Sequence, residues 1–236
     1  MHPRPSPFRK SRYETGMSAP VSAAAATVPR SLFVFSVLYG GMTCIAGVLG
    51  NKQASVGPLS VESGIFAFLL LVVISSAMAE LHGRAIANRL VRFGFIPLIF
   101  AIVLFELVLA LPAAPSMEAA RLEGFQLVLS QSPRLMLAGI AAYGVSQTLN
   151  VTIFDALRRG EGGLLWLRGA IAGVLSQAVD TLIFISLAFW GVFPIGELML
   201  GQMIAKVTLS ALLVPPLIYL CVWIGRRLDG RPNTMH

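Results

Sequence analysis

The sequence predicts an all-α integral membrane protein of six transmembrane helices with both termini in the cytoplasm. Three observations predict it. Charge is scarce: 12% of residues are charged, 56% are hydrophobic and the mean hydropathy is +0.78, whereas a soluble domain carries about 25% charged residues. Six runs are apolar for long enough to cross ~30 Å of hydrocarbon, which takes about 20 residues of helix. The basic residues also fall on one side. With the N-terminus inside, the inner segments hold thirteen Lys and Arg, and the outer ones hold Lys52, Arg121 and Arg134. That is the positive-inside bias of a membrane protein, and five or seven spans would break the alternation.

Residues 1–30 are rich in Pro, Ser, Ala and Arg and lack a helical pattern, so a disordered cytoplasmic tail is expected. A cleaved signal is disfavoured, because the apolar run that follows is long enough to stay as a span. The spans fall at 31–50, 63–82, 94–112, 134–157, 164–192 and 200–224. They form one transmembrane domain over 31–226, with 227–236 as a cytoplasmic tail. The second and fourth are the least uniform, since both carry polar residues. The connector 113–133 has room for a short interfacial helix.

Several function classes are disfavoured. The net charge of +7 does not signal nucleic acid, because the basic residues cap apolar runs and are not interleaved with aromatics. Cys44 and Cys221 lie in apolar segments and make no disulfide framework or zinc spacing. His2, His82 and His236 have no partner at ligand spacing, so no metal or other cofactor is expected. No phosphate-cradling GxxxxGK loop exists, so the chain carries no ATPase of its own.

What remains is a short set of polar side chains at bilayer depth, where each costs several kcal/mol unless it faces protein or water. Glu80 ends the second span, Gln147 and Asn150 lie in the fourth, Arg168, Gln177 and Asp180 in the fifth, and Lys206 in the sixth; Asn51 caps the first. Two phrases recur, "SQTLNVTIF" at 146–154 and "SQAVDTLIF" at 176–184. Gln147 and Asn150 are three apart, as are Gln177 and Asp180, so each pair shares a helix face. Successive spans run antiparallel, which lets the two phrases face each other. Gly139, Gly144, Gly169 and Gly173 are expected to let helices approach closely.

Each of these residues also has a plain structural reading. Membrane amides serve as interhelical glue, Asp180 and Lys206 can neutralise each other as a buried pair, and Arg168 can snorkel from a helix end. Glu106 in the third span reads as structural, and His82 as interfacial. A cavity built from these groups would supply amides, carboxylates and cations in an apolar shell. That suits a flat, polar heterocycle: a carboxylate accepts two N–H bonds from an amino-lactam edge, and an amide pairs with a ring donor and acceptor as it does with base edges. Phe154, Tyr143, Phe184, Phe189 and Trp190 are candidates to stack on the ring.

The stretch "SAMAELHGRAIANRLV", 76–91, resembles the second-span signature of the queuosine precursor transporter family, also called the vitamin uptake transporter family. Glu80 and Gly83 match, and Ser76 stands where the family has Asp. "SQAVDTLIF" is similar to the fifth-span motif at Ser176, Gln177 and Asp180, with Arg168 ahead of it. "YGVSQTLNVTIF" resembles the fourth-span motif at Gln147, with Asn150 where Asp is common. Asn51 and Lys206 also fit, and the likeness covers roughly 31–226. It implies uptake of 7-cyano-7-deazaguanine, and of 7-aminomethyl-7-deazaguanine, across the bacterial inner membrane for tRNA queuosine salvage. The substrate would sit between the fourth, fifth and neighbouring spans, held by Asn51, Glu80, Gln147, Asn150, Arg168, Gln177, Asp180 and Lys206. The expected partners are thus a small deazaguanine and the lipid bilayer, with room for a homodimer. Three rivals stand beside this reading: a substrate-capture subunit served by a separate ATP-driven module, an intramembrane enzyme using Glu80 and His82, and a purely structural subunit.

Overall fold

The computed structural model describes residues 28–56, 59–130, 133–158, 164–191 and 195–232. The expected disordered tail thus lies outside the described residues as far as 27, as does the C-terminal end from 233 onward. In chain order the elements are α1 (Arg30–Gly50), β1 (Gln53–Val56), β2 (Leu59–Glu62), α2 (Gly64–His82), α3 (Arg84–Ala110), α4 (Ala119–Leu129), α5 (Pro133–Ala156), α6 (Leu165–Phe189) and α7 (Gly196–Leu228). Six helices, all but α4, are long and apolar enough to cross a membrane. The short α4 falls in the connector where an interfacial helix was expected.

The boundaries differ from expectation in three places. α3 begins at Arg84, ten residues before the expected 94, because Arg84, Arg89 and Arg92 are good helix formers and continue the helix without breaking the backbone. α7 continues to Leu228, so Arg227 closes a helix and does not open a tail; Arg226 and Arg227 occupy its last turn, where cations suit the helix dipole. The connector between the first two spans holds an antiparallel hairpin, β1 against β2, with Gln53 opposite Glu62 and Val56 opposite Leu59. Nothing in the reading of the sequence anticipated it.

α2 is the central helix. Of its most apolar stretch 72% is buried, against 6% for α3, and a helix that is apolar all round belongs in the interior. α1 buries a narrow stripe, Ser31, Phe35, Tyr39, Thr43 and Ala46, whose three- and four-residue steps mark one helix face. α3 turns Phe93, Ile96, Phe100, Val103 and Leu107 outward, as a lipid-facing helix does. α5 packs extensively on α6, and α6 on α7.

Glycines permit the closest of these contacts. A Cβ at Gly173 would meet Ser210 Oγ at 2.6 Å, and one at Gly169 would meet Ile218 at 2.6 Å, so both let α6 lie on α7. Gly144 serves α5 in the same way against Phe95 of α3. Gly139 departs from expectation: nothing lies within 4 Å of a Cβ there, because it borders a cavity.

Candidate functional site

Lipid offers no partner to a polar side chain, so polar residues in spans turn inward to find one another. Asp180 of α6 and Lys206 of α7 form an ion pair at 3.0 Å, each side chain about 5% exposed. Ser146 of α5 donates to the other carboxylate oxygen of Asp180 at 3.1 Å. The two repeated phrases therefore meet at Ser146 and Asp180. Both ion-pair partners line a cavity of about 340 Å³, at the low end of the ~300–1,000 Å³ typical of small-molecule sites.

The cavity occupies the half of the bundle away from the start of α1 and the end of α7. It is walled by the second halves of α1, α3 and α6 and the first halves of α2, α5 and α7, and α4 and Glu62 close its rim. The lining is mostly apolar, with a few polar groups: Thr43, Asn51, Glu62, Tyr143, Asp180, Gln202 and Lys206. Tyr143, Phe184 and Phe189 supply aromatic wall. The other two stacking candidates are elsewhere: Phe154 packs beneath Arg168, whose guanidinium sits 4.2 Å from its ring centroid, and Trp190 is 70% exposed.

Three of the eight site residues expected from sequence line this cavity: Asn51, Asp180 and Lys206. Asn51 sits at the rim and donates its amide hydrogens to the carbonyls of Gly47, Val48 and Val128, tying α1 to α4. The other five are buried or half-buried nearer the start of α1 and the end of α7. Asn150 donates to Ser75 and Ser76 of α2, both at 3.0 Å, and Gln147 accepts from Ser75 at 3.3 Å. These α5 amides join α5 to the central helix, as interhelical glue does. Asn150 Oδ1 and Gln177 Oε1 are buried without a partner among the described residues. Arg168 does not snorkel: it lies 3.0 Å from Glu80 with its side chain 7% exposed. The two charges are out of line for a hydrogen bond, and Arg168 Nε donates instead to the Phe154 carbonyl at 3.3 Å.

At the terminal end a separate clasp joins three helices. The Ser31 backbone N–H donates to Asp229 Oδ1 at 2.9 Å and its hydroxyl to Oδ2 at 2.7 Å, so Asp229 caps α1. The Ser31 hydroxyl also lies 2.7 Å from His82 Nε2 at the end of α2. Burial alone would raise the Asp229 carboxyl, but the Ser31 hydrogen bonds and the His82 and Arg231 charges outweigh it and hold it below its ordinary 3.8. A depressed carboxyl contributes stability above its unfolded value and loses it as pH falls through the folded one. Asp229→Asn is therefore expected to lower the unfolding midpoint at neutral pH, with the gap to the wild type closing below about pH 4. A gap that stays constant through acid, in thermal unfolding of the detergent-solubilised protein, would contradict this account.

Sequence reasoning missed Glu62, Gln202 and Thr43. Glu62 lay just ahead of the second expected span, in the connector 51–62, where it is the only acid; that was the available signal.

Among known proteins, residues 62–221 match the family described as "Putative vitamin uptake transporter". The "Probable queuosine precursor transporter" of Bacillus subtilis (strain 168) is 30% identical over 161 residues, which cover 67% of this chain and 69% of that protein. No solved structure matches.

Proposed function

The chain belongs to the vitamin uptake transporter family, and from that premise we propose that it imports queuosine precursors across a bacterial inner membrane, binding them over the Asp180–Lys206 pair. The substrates are 7-cyano-7-deazaguanine and its aminomethyl counterpart. One observation carries the reading: costly polar side chains from four membrane helices and the hairpin converge on a single cavity of small-molecule size. With both termini cytoplasmic, that cavity faces outward, where an importer meets its substrate.

A carboxylate has about four acceptor positions, and Asp180 uses one for Ser146 and one for Lys206. The rest serve the N–H groups of an amino-lactam edge. Lys206 donates to the ring carbonyl, and Tyr143, Phe184 and Phe189 sandwich the ring. Toward the cytoplasm the path continues through Gln147, Asn150 and Gln177. The unpartnered oxygens of Asn150 and Gln177 carry a desolvation cost of roughly 1–3 kcal/mol each, which an inward-moving ligand relieves. The Ser31–His82–Asp229 clasp and the Glu80–Arg168 pair hold the cytoplasmic end shut. In alternating access they open as the outer rim closes.

The test is uptake of labelled 7-cyano-7-deazaguanine by proteoliposomes holding this chain alone. Accumulation without any ATPase supports a self-sufficient carrier. Substrate binding with no uptake points to a capture subunit, and the absence of both sinks the proposal.

A further inference from the structure

Glu62 is not among the residues that the family likeness singles out, yet it faces the cavity from β2. The backbone makes room for its carboxylate. A Cβ on Gly50 would overlap Glu62 Oε1, and one on Gly64 would meet the same oxygen at 3.3 Å and the Ala46 carbonyl at 2.8 Å. Two glycines, one at each end of the hairpin connection, thus leave space for one carboxylate against the ends of α1 and α2. Lys206 pairs with Asp180 at 3.0 Å, and acts on Glu62 only from beyond ion-pair distance. The ion pairs among the described residues do not include Glu62.

Among the described residues the charged groups lining the cavity are Glu62, Asp180 and Lys206, two acids and one base. From this geometry we infer that Glu62 is a specificity residue that selects substrates bearing a cation beside the flat ring, so that the cavity prefers the aminomethyl deazaguanine to the cyano one. This rests on the transport reading above and deepens it. An alkylamine is protonated at neutral pH, as a lysine side chain is, whereas a nitrile is neutral. Burial pushes the Glu62 carboxyl above its usual range; Lys206 offsets part of this and Asp180 adds to it. Burial thus disfavours the ionised carboxylate, and a ligand ammonium beside it offsets that cost by supplying the counter-charge. The Asp180–Lys206 pair reads the ring that both compounds share, and Glu62 reads the arm by which they differ.

The experiment measures thermal stabilisation of the purified protein by the two deazaguanines, for the wild type, Glu62→Gln and Glu62→Asp. The wild type is expected to bind the aminomethyl compound at least tenfold more tightly than the cyano compound. Glu62→Gln is expected to abolish that ratio by weakening the aminomethyl compound at least tenfold, and its unfolding midpoint without ligand shows whether the variant is folded. Glu62→Asp, which keeps the charge on a shorter arm, is expected to retain the preference. An unchanged ratio in Glu62→Gln, or a preference lost equally in Glu62→Asp, overturns the inference. If Glu62→Gln does not fold, the wild-type ratio and the Asp variant decide. Failure of the wild type to bind either compound overturns the transport reading and this inference with it; binding of both without preference overturns only this inference.

Discussion

Asp180→Asn is expected to reduce uptake by about 100-fold and to destabilise the fold, and the two effects are separable. The carboxylate neutralises Lys206 at 3.0 Å in a site where both side chains are nearly buried. Removing one partner of a buried pair strands the other charge and costs about 3–5 kcal/mol. The uptake loss has another origin. A hydrogen bond to a charged group contributes roughly 1.5–3 kcal/mol, and each 1.4 kcal/mol is a factor of ten. An acceptor-only carboxylate replaced by an amide must also present a donor to the substrate's own donors. The double variant Asp180→Asn/Lys206→Gln removes both charges, so its unfolding midpoint is expected to recover most of the loss, while its uptake stays low. Uptake that returns together with stability would mean that the pair only holds α6 to α7 and that no ligand rests on it. A double-mutant cycle read by both assays is the measurement.

The expected spans were legible because hydropathy reports the solvent directly, and lipid rejects charge wherever a side chain cannot reach protein or water. The burial of Gln147, Asn150, Gln177, Asp180 and Lys206 followed from the same cost. Their partners did not. Whether Asn150 turns to Ser75 and Ser76 or toward the cavity depends on the rotation of α5 about its axis by a few tens of degrees, and period alone fixes a face only relative to its own helix. Arg168 shows the same limit: a cation at a helix end reads as an anchor for the interface, and only the packing of α2 on α6 brings Glu80 beside it. The hairpin was invisible for another reason. Strands of four residues are too short for alternation to stand out, so Glu62 was passed over although the connector holds no other acid.

The Glu80–Arg168 pair gives the second large effect, and its asymmetry follows from the chemistry of the two groups. Glu80→Gln leaves a guanidinium, 7% exposed, with five N–H donors to satisfy. Its remaining partners are the Phe154 ring at 4.2 Å and the Phe154 carbonyl. Arg168→Met leaves Glu80, whose side chain is 17% exposed and so better placed to reach water. Glu80→Gln is therefore expected to be the costlier change, about 3–5 kcal/mol, against about 1–3 kcal/mol for Arg168→Met, which is closer to the cost of one unsatisfied polar group. Losing both charges in Glu80→Gln/Arg168→Met is expected to cost less than Glu80→Gln alone, since nothing charged is then stranded. The test is the order of the three unfolding midpoints at neutral pH. If Arg168→Met is the most destabilised, the guanidinium contributes mainly by packing on Phe154, and Glu80 is free to move without it. If the predicted order holds and the double variant leaks substrate in both directions across proteoliposomes, the pair is a bolt on the end of the path away from the cavity. A fully coupled, tightly sealed double variant would place the closure instead at Ser31, His82 and Asp229.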